Sequence, residues 1–216
     1  MKTIQEVFDQ VKPEWKFAAY QNHHTFSKQD NQVEILLTRL QNICETPVIK
    51  QLQRYLGKVY LYGSSITDTY YDLKFHDLDL VVDVEDTAQL DNLLNTLNIT
   101  YTQNKYDGYR FKHNGIEYDV WNLKDTKSMT LFNIEPTLDN LLTSCMFSTQ
   151  SVYYDTNLRL LYFNSIWDQT INTKVIDLVS QNTLFPEKLK MFATKYSRRY
   201  KMSWSRRLCQ VIKSKK

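Results

Sequence analysis

The sequence predicts an α/β (α+β) fold: a mixed sheet with a helical layer before it in the chain and a basic helical segment after it. Three observations carry this. A β-prone run, Val59 to Tyr62, stops at Gly63; Ser64 and Ser65 open a short helix, and a second strand starts at Asp77. That strand alternates, with Asp77, Asp79 and Val81 on one face and Leu78, Leu80 and Val82 on the other. Farther on, Asn114-Gly115 is a strong two-residue hairpin signal.

Residues 1–57 read as helical. Val33, Leu36, Leu37, Leu40 and Ile43 recur at helical spacing, Pro47 interrupts, and Ile49, Leu52, Tyr55 and Leu56 resume the pattern up to a stop at Gly57. A helical layer packed on the sheet explains this better than a partner-binding face does. His23 and His24 are adjacent, share no face of a helix or strand, and read as a polar surface turn. After the second strand, Asp86 to Leu97 forms an amphipathic helix that buries Leu90, Leu93, Leu94 and Leu97, with Asp86 or Thr87 at its start. Strand structure resumes at Ile99, and Asp107-Gly108 marks a turn.

A hairpin at Asn114-Gly115 pairs His113 with Ile116, Lys112 with Glu117, Phe111 with Tyr118 and Arg110 with Asp119. Arg110, Lys112, Glu117 and Asp119 then share one face, while Phe111, Tyr118 and Val120 point to the core. Thr137 to Phe147 reads as a helix, followed by a strand pair, Ser151 to Asp155 and Leu158 to Phe163. Pro186 opens a helix that runs to Tyr200, and Ser203 caps a last helix, Trp204 to Ile212. The chain divides into a helical segment (1–57), a central sheet-forming unit (58–170) and a basic helical extension (171–216).

Composition narrows the class. The 216 residues suit one domain with a modest extension, and 42% hydrophobic content supports a core. No run of 18 apolar residues exists, and the first residues lack an apolar signal core, so neither a membrane span nor secretion is expected. Three widely spaced cysteines, Cys44, Cys145 and Cys209, suit a reduced cytoplasmic setting better than a disulfide or zinc scaffold. The net charge of +3 hides an asymmetry: residues 186–216 carry eleven Lys/Arg against Glu187 alone, a local +10, and the rest of the chain carries −7. An acidic body with a basic tail points to a polyanion at the tail.

Asp77 and Asp79 lie side by side, and adjacent carboxylates repel unless a cation sits between them. Mg²⁺ takes oxygen ligands and is ordinarily shared with substrate phosphates. The Gly63-Ser64 turn supplies a complementary element, since glycine admits close backbone approach and a helix start with a Ser hydroxyl can hold a phosphate. Together these suggest nucleotidyl transfer.

This stretch resembles the signature of the DNA polymerase β-type nucleotidyltransferase superfamily, in particular the head domain of bacterial poly(A) polymerases and CCA-adding enzymes. The family pattern Gly-Gly-x-Val-Arg-Asp-x-Leu-Leu, a loop and Asp-x-Asp is matched in spacing by Gly63, Ser64, Ile66, Thr67, Asp68, Tyr70, Tyr71 and Asp77-Leu78-Asp79. Ser64 replaces the second glycine and Thr67 the arginine. The family's third carboxylate lies in a strand similar to Tyr118–Lys124, which puts Asp119 in the acidic position with Glu117 as runner-up. The family's Arg-Arg-Asp segment, which grips sugar and base, overlays Ser144-Cys145-Met146-Phe147-Ser148, so that trio is absent. The long neck, body and tail that measure tRNA have no counterpart in these 216 residues.

The resemblance implies a mixed-sheet nucleotidyltransferase fold in which Asp77, Asp79 and Asp119 hold two Mg²⁺ ions (Mn²⁺ as an alternative) and catalyse transfer from a nucleoside triphosphate. Gly63, Ser64, Ser65, Asp68 and Arg110 are the expected nucleotide-binding residues; for Arg110, neutralising Asp119 is an equal reading. The expected acceptor is an RNA or tRNA 3′ end, contacted by Lys188, Lys195, Arg198, Arg199, Arg206 and Arg207, interleaved with Tyr196, Tyr200 and Trp204. Two other functions fit the same residues: nucleotidylation of a protein or small molecule, and a catalytically silent RNA-binding module.

Overall fold

A computed structural model describes residues 30–104, 106–180 and 186–214. His23 and His24, like the rest of 1–29, lie outside the described residues. Among the described residues two helices come first, α1 (Asp30–Cys44) and α2 (Pro47–Leu56). Pro47 stands at the first position of α2, where its missing N–H costs no helical hydrogen bond, and Gly57 ends that helix at φ 78°. Their apolar stripe, with Leu36, Leu40, Ile49 and Leu52 fully enclosed, packs on one face of a sheet. Tyr55, read from the sequence as part of that stripe, is instead exposed.

Seven strands form the sheet: β1 (Val59–Tyr62), β2 (Asp77–Val82), β3 (Tyr101–Gln103), β4 (Tyr109–His113), β5 (Ile116–Asn122), β6 (Val152–Asp155) and β7 (Leu160–Phe163). Their spatial order is β3-β4-β5-β2-β1-β6-β7. Only the β2–β5 pairing is parallel; the other five are antiparallel. The sheet is therefore mixed, as expected, and the hairpin register is the one the Asn-Gly turn specifies: Arg110 faces Asp119 and His113 faces Ile116. Asn114 (φ 48°) and Gly115 (φ 80°) both take the left-handed backbone that such a turn requires.

Strand alternation separates the two faces. Leu61, Leu80, Val120 and Phe111 point into the large core shared with α1, α2 and α4 (Ala88–Thr96). Helix α4 is shorter than expected at both ends, and Asp86 supports its start by accepting the Ala88 N–H at 3.0 Å. On the other face, Tyr60, Val81 and Tyr153 pack against α5 (Lys127–Leu131) and α6 (Leu138–Ser144). Helix α6 starts at its Thr137 cap and ends three residues before the expected Phe147.

The remaining elements are α3 (Ser64–Tyr70) between β1 and β2, α7 (Ser165–Thr173), β8 (Val175–Ile176), α8 (Leu189–Tyr200), β9 (Ser203–Trp204) and α9 (Arg206–Ser214). Ser203 and Trp204, expected as the cap and start of the last helix, instead form β9 and pair in parallel with β8. The cap is Ser205, whose hydroxyl accepts the Leu208 N–H at 3.0 Å. A second apolar cluster, built on Phe147, Ile176, Leu178, Leu189 and Leu208, packs α8 and α9 against β8 and the loop after α3. No helix among the described residues is long and apolar enough to cross a membrane.

Candidate active site

The sheet topology brings three carboxylates together. In the parallel β2–β5 register Asp77 lies opposite Glu117 and Asp79 opposite Asp119. Alternation turns Asp77, Asp79 and Asp119 onto the face away from the large core, and carboxylate oxygens of the three lie within 4.8 Å of one another. Glu117, the runner-up for the third position, is not in this group.

Their electrostatics follow from that crowding. Burial, and then the Asp77 and Asp119 charges, push Asp79 up to about 8. Asp77 is raised as well, by burial first and the Asp119 charge second. Arg110 and Lys195 offset part of both effects. Arg110, across the hairpin, grips Asp119 with two parallel hydrogen bonds, one from Nε to Oδ1 at 2.8 Å, and its guanidinium also lies 3.5 Å from Glu117. This is the neutralising contact weighed for Arg110 from the sequence. The donor set is all carboxylate oxygen, which fits a hard divalent cation such as Mg²⁺ or Mn²⁺.

Gly63 closes one side. Its φ of 75° and ψ of −134° belong to glycine, and a Cβ there would come within 3.9 Å of Asp79 Oδ2. The Gly63 N–H is used within the sheet, donating to the Val152 carbonyl at 2.9 Å. Ser64 follows at the first position of α3, while Ser65 is buried and donates its hydroxyl to the Tyr62 carbonyl. Asp68, expected at the nucleotide, is 4% exposed and pairs bidentately with Arg199 of α8 at 2.6 and 2.8 Å. Thr67, which stands where the family pattern has arginine, is buried; its hydroxyl donates to the Thr149 carbonyl at 2.7 Å and accepts the Trp167 indole N–H at 2.8 Å.

The six expected RNA contacts divide. Arg199 is committed to Asp68 and to the Lys74 carbonyl. Arg207 is buried against Asp177 and the Leu178 carbonyl. Lys188, Lys195, Arg198 and Arg206 are exposed. Lys195 and Arg198 share a shallow groove on the outer face of α8 with Lys190 and Thr194.

From the carboxylates a cleft of about 660 Å³ runs between the sheet face and α8. Its walls include Tyr62, Trp121, Tyr106, Phe192 and Tyr196. Tyr62 lies opposite Asp79 in the β1–β2 register, and Trp121 is two residues along β5 from Asp119, so both are on the carboxylate face. These two were legible from strand alternation, although only the acids were singled out. Tyr196, expected from the sequence among the aromatics of the RNA-contacting tail, reaches this cleft on α8, where its hydroxyl accepts a hydrogen bond from Gln150 at 3.3 Å. Burial and the Asp79 and Asp77 charges push that phenol up. Cys145 also lines the cleft, its thiol pushed up to about 12 by burial and so unreactive.

No protein-family model matches the chain, and no curated protein matches it in sequence. Solved structures do match. The Thermotoga maritima CCA-adding enzyme complexed with tRNA superposes with a TM-score of 0.60 at 16% identity, over 82% of this chain and 45% of that one. A CCA-adding enzyme in complex with ATP gives 0.57 at 18%, over 82% and 45%. A tRNA-processing enzyme with CTP gives 0.59 at 15%, over 76% and 44%. The chain spans less than half the length of these proteins. Over most of its own length the chain has the fold of part of these CCA-adding and tRNA-processing enzymes.

Proposed function

We propose that the chain is a divalent-metal-dependent nucleotidyltransferase that moves a nucleoside monophosphate from a triphosphate to the 3′ hydroxyl of an RNA. The observation that carries this reading is the Asp77–Asp79–Asp119 cluster at the mouth of a nucleotide-sized cleft, on a fold shared with enzymes of that class. Asp77, Asp79 and Asp119 would hold the cations. Bound divalent ions neutralise triphosphate charge and stabilise the attacking and leaving oxygens of an in-line displacement.

The chain's own groups do the rest. The RNA hydroxyl oxygen attacks the α-phosphorus and forms the new phosphodiester. The bond from that phosphorus to the α,β-bridging oxygen breaks, and pyrophosphate leaves with the electron pair. Asp119 takes the hydroxyl proton. Arg110 holds Asp119 in orientation through its two hydrogen bonds. Gly63 lets the β1–α3 turn pass close to Asp79, and Ser64, next in the chain, would hold the β- and γ-phosphates. The exposed cations Lys195 and Arg198 on α8 would neutralise acceptor phosphates on their way to the cleft.

The test supplies each of four α-labelled triphosphates with Mg²⁺ or Mn²⁺ and total RNA to the wild type and to Asp77→Ala/Asp79→Ala. Label in RNA that the double variant abolishes is the expected result. Label on protein would move the acceptor and keep the chemistry. No incorporation with either metal, alongside intact RNA binding, would leave a binding module.

A further inference from the structure

We propose that the cleft holds the nucleobase by stacking on its aromatic walls without reading the base's hydrogen-bonding edge, so that one site accepts all four nucleoside triphosphates. This rests on the nucleotidyl-transfer reading above and concerns what that site selects.

Position comes first. Trp121 stands two residues beyond Asp119 on the same strand face, roughly 6.6 Å along β5. A nucleotide whose phosphates meet the carboxylates therefore directs its base toward Trp121 and the neighbouring rings. Trp121 meets Tyr62 edge to face, with ring centroids 6.0 Å apart, which fixes both rings as a rigid wall. Phe192 and Tyr196 of α8 face that wall across the cleft.

Most of the polar side chains that line the cleft have partners inside the protein. The Trp121 indole N–H donates to the Thr126 hydroxyl at 3.1 Å, and the Tyr62 and Ser144 hydroxyls both donate to the Leu141 carbonyl at 3.2 Å. Gln150 is used at both ends: its amide nitrogen donates to the Tyr196 hydroxyl, and its carbonyl accepts the Phe147 N–H. Asn104 turns its carbonyl oxygen onto the Tyr106 and Gly108 N–H groups. The segment where the resembled enzymes carry Arg-Arg-Asp contributes Ser144, Cys145, Met146 and Phe147 to the lining, with no ionised group among them.

Chemistry sets the size of the effect. A site built to hydrogen-bond a substrate group rejects an analogue lacking it by about 10⁴–10⁵, whereas an apolar pocket discriminates by only about 10–200-fold. Stacking is sequence-tolerant, because every base has a π-face, and its strength favours purines.

The experiment measures kcat/KM for ATP, GTP, CTP, UTP and purine riboside triphosphate, which lacks the 6-amino group of ATP, on one RNA acceptor. Equilibrium dialysis gives Kd for the same five with Mg²⁺. The expected spread is under about 100-fold, purines leading, with purine riboside triphosphate within about 10-fold of ATP. Trp121→Ala should raise Kd for all five by similar factors. A single triphosphate preferred by more than about 10³, or a comparable loss for purine riboside triphosphate, would overturn the inference. If no triphosphate is incorporated, the transfer reading fails, and the Kd series still decides base selection.

Discussion

Asp79 lies between two charges of its own sign. Asp77 and Asp119 flank it, with Arg110 and Lys195 as the nearby opposite charges, and its pKa is raised from 3.8 to about 8. The folded protein therefore holds this proton more tightly than the unfolded chain does. Between those two values the folded state binds more protons, so the metal-free protein loses stability as pH rises from about 4 toward 8. A divalent cation competes with that proton, so the rise in Tm on adding Mg²⁺ should be larger at pH 8 than at pH 6. Thermal melts at both pH values with and without Mg²⁺ check this; a shift independent of pH would contradict it. Asp79→Asn should separate function from stability. Transfer should fall about 10²–10³-fold, comparable to removing another strong electrostatic group at a reacting centre. In metal-free buffer at pH 8 the same variant should melt roughly 2–4 °C higher, the equivalent of about 1 kcal/mol for a chain of this size.

At the scale of elements, α8 is positioned by the Asp68–Arg199 pair, whose side chains are 5% and 19% exposed. Breaking one partner of a buried pair leaves an uncompensated charge, so Arg199→Ala should cost about 3–5 kcal/mol and lower Tm strongly. Arg198→Ala, one residue away on the exposed face, should leave Tm within about 0.5 kcal/mol equivalent and weaken RNA binding instead. Circular dichroism melts and RNA titrations on the two variants check the distinction. This pair also marks where sequence reading ends. The β4–β5 register was legible because Asn114-Gly115 has one favoured turn and alternation fixes the rest, and β2 was legible from its own period of two. The Asp77–Asp79–Asp119 grouping followed from those local patterns together with the family resemblance. Arg199 and Asp68 are 131 residues apart, and charge alone marked Arg199 as one more RNA contact. Likewise Ser203-Trp204 has a helix-cap pattern that loses to parallel pairing with Val175-Ile176, a contact no local signal encodes.

At the scale of the whole molecule, the basic tail is only partly an outward surface. Arg199 and Arg207 face inward, while Lys190, Lys195 and Arg198 line the α8 groove together with Glu187. Single-stranded RNA crossing this groove would meet three cations. Replacing Lys190, Lys195 and Arg198 together with Ala should reduce the dependence of log K on log salt by about 2, at a slope of about 0.7 per phosphate contact. Binding measured between 50 and 200 mM salt checks it, and an unchanged slope would place the acceptor elsewhere.

Whether the three-aspartate cluster runs nucleotidyl transfer is decided by quantifying, in parallel, pyrophosphate released and α-label bound to RNA, with Mg²⁺, for wild type and Asp79→Asn. The expected result is one pyrophosphate per label in the wild type, dependent on metal, and loss of both in the variant by about 10²–10³-fold. Equal yields from wild type and Asp79→Asn, or pyrophosphate release that continues after the metal is chelated, would contradict it.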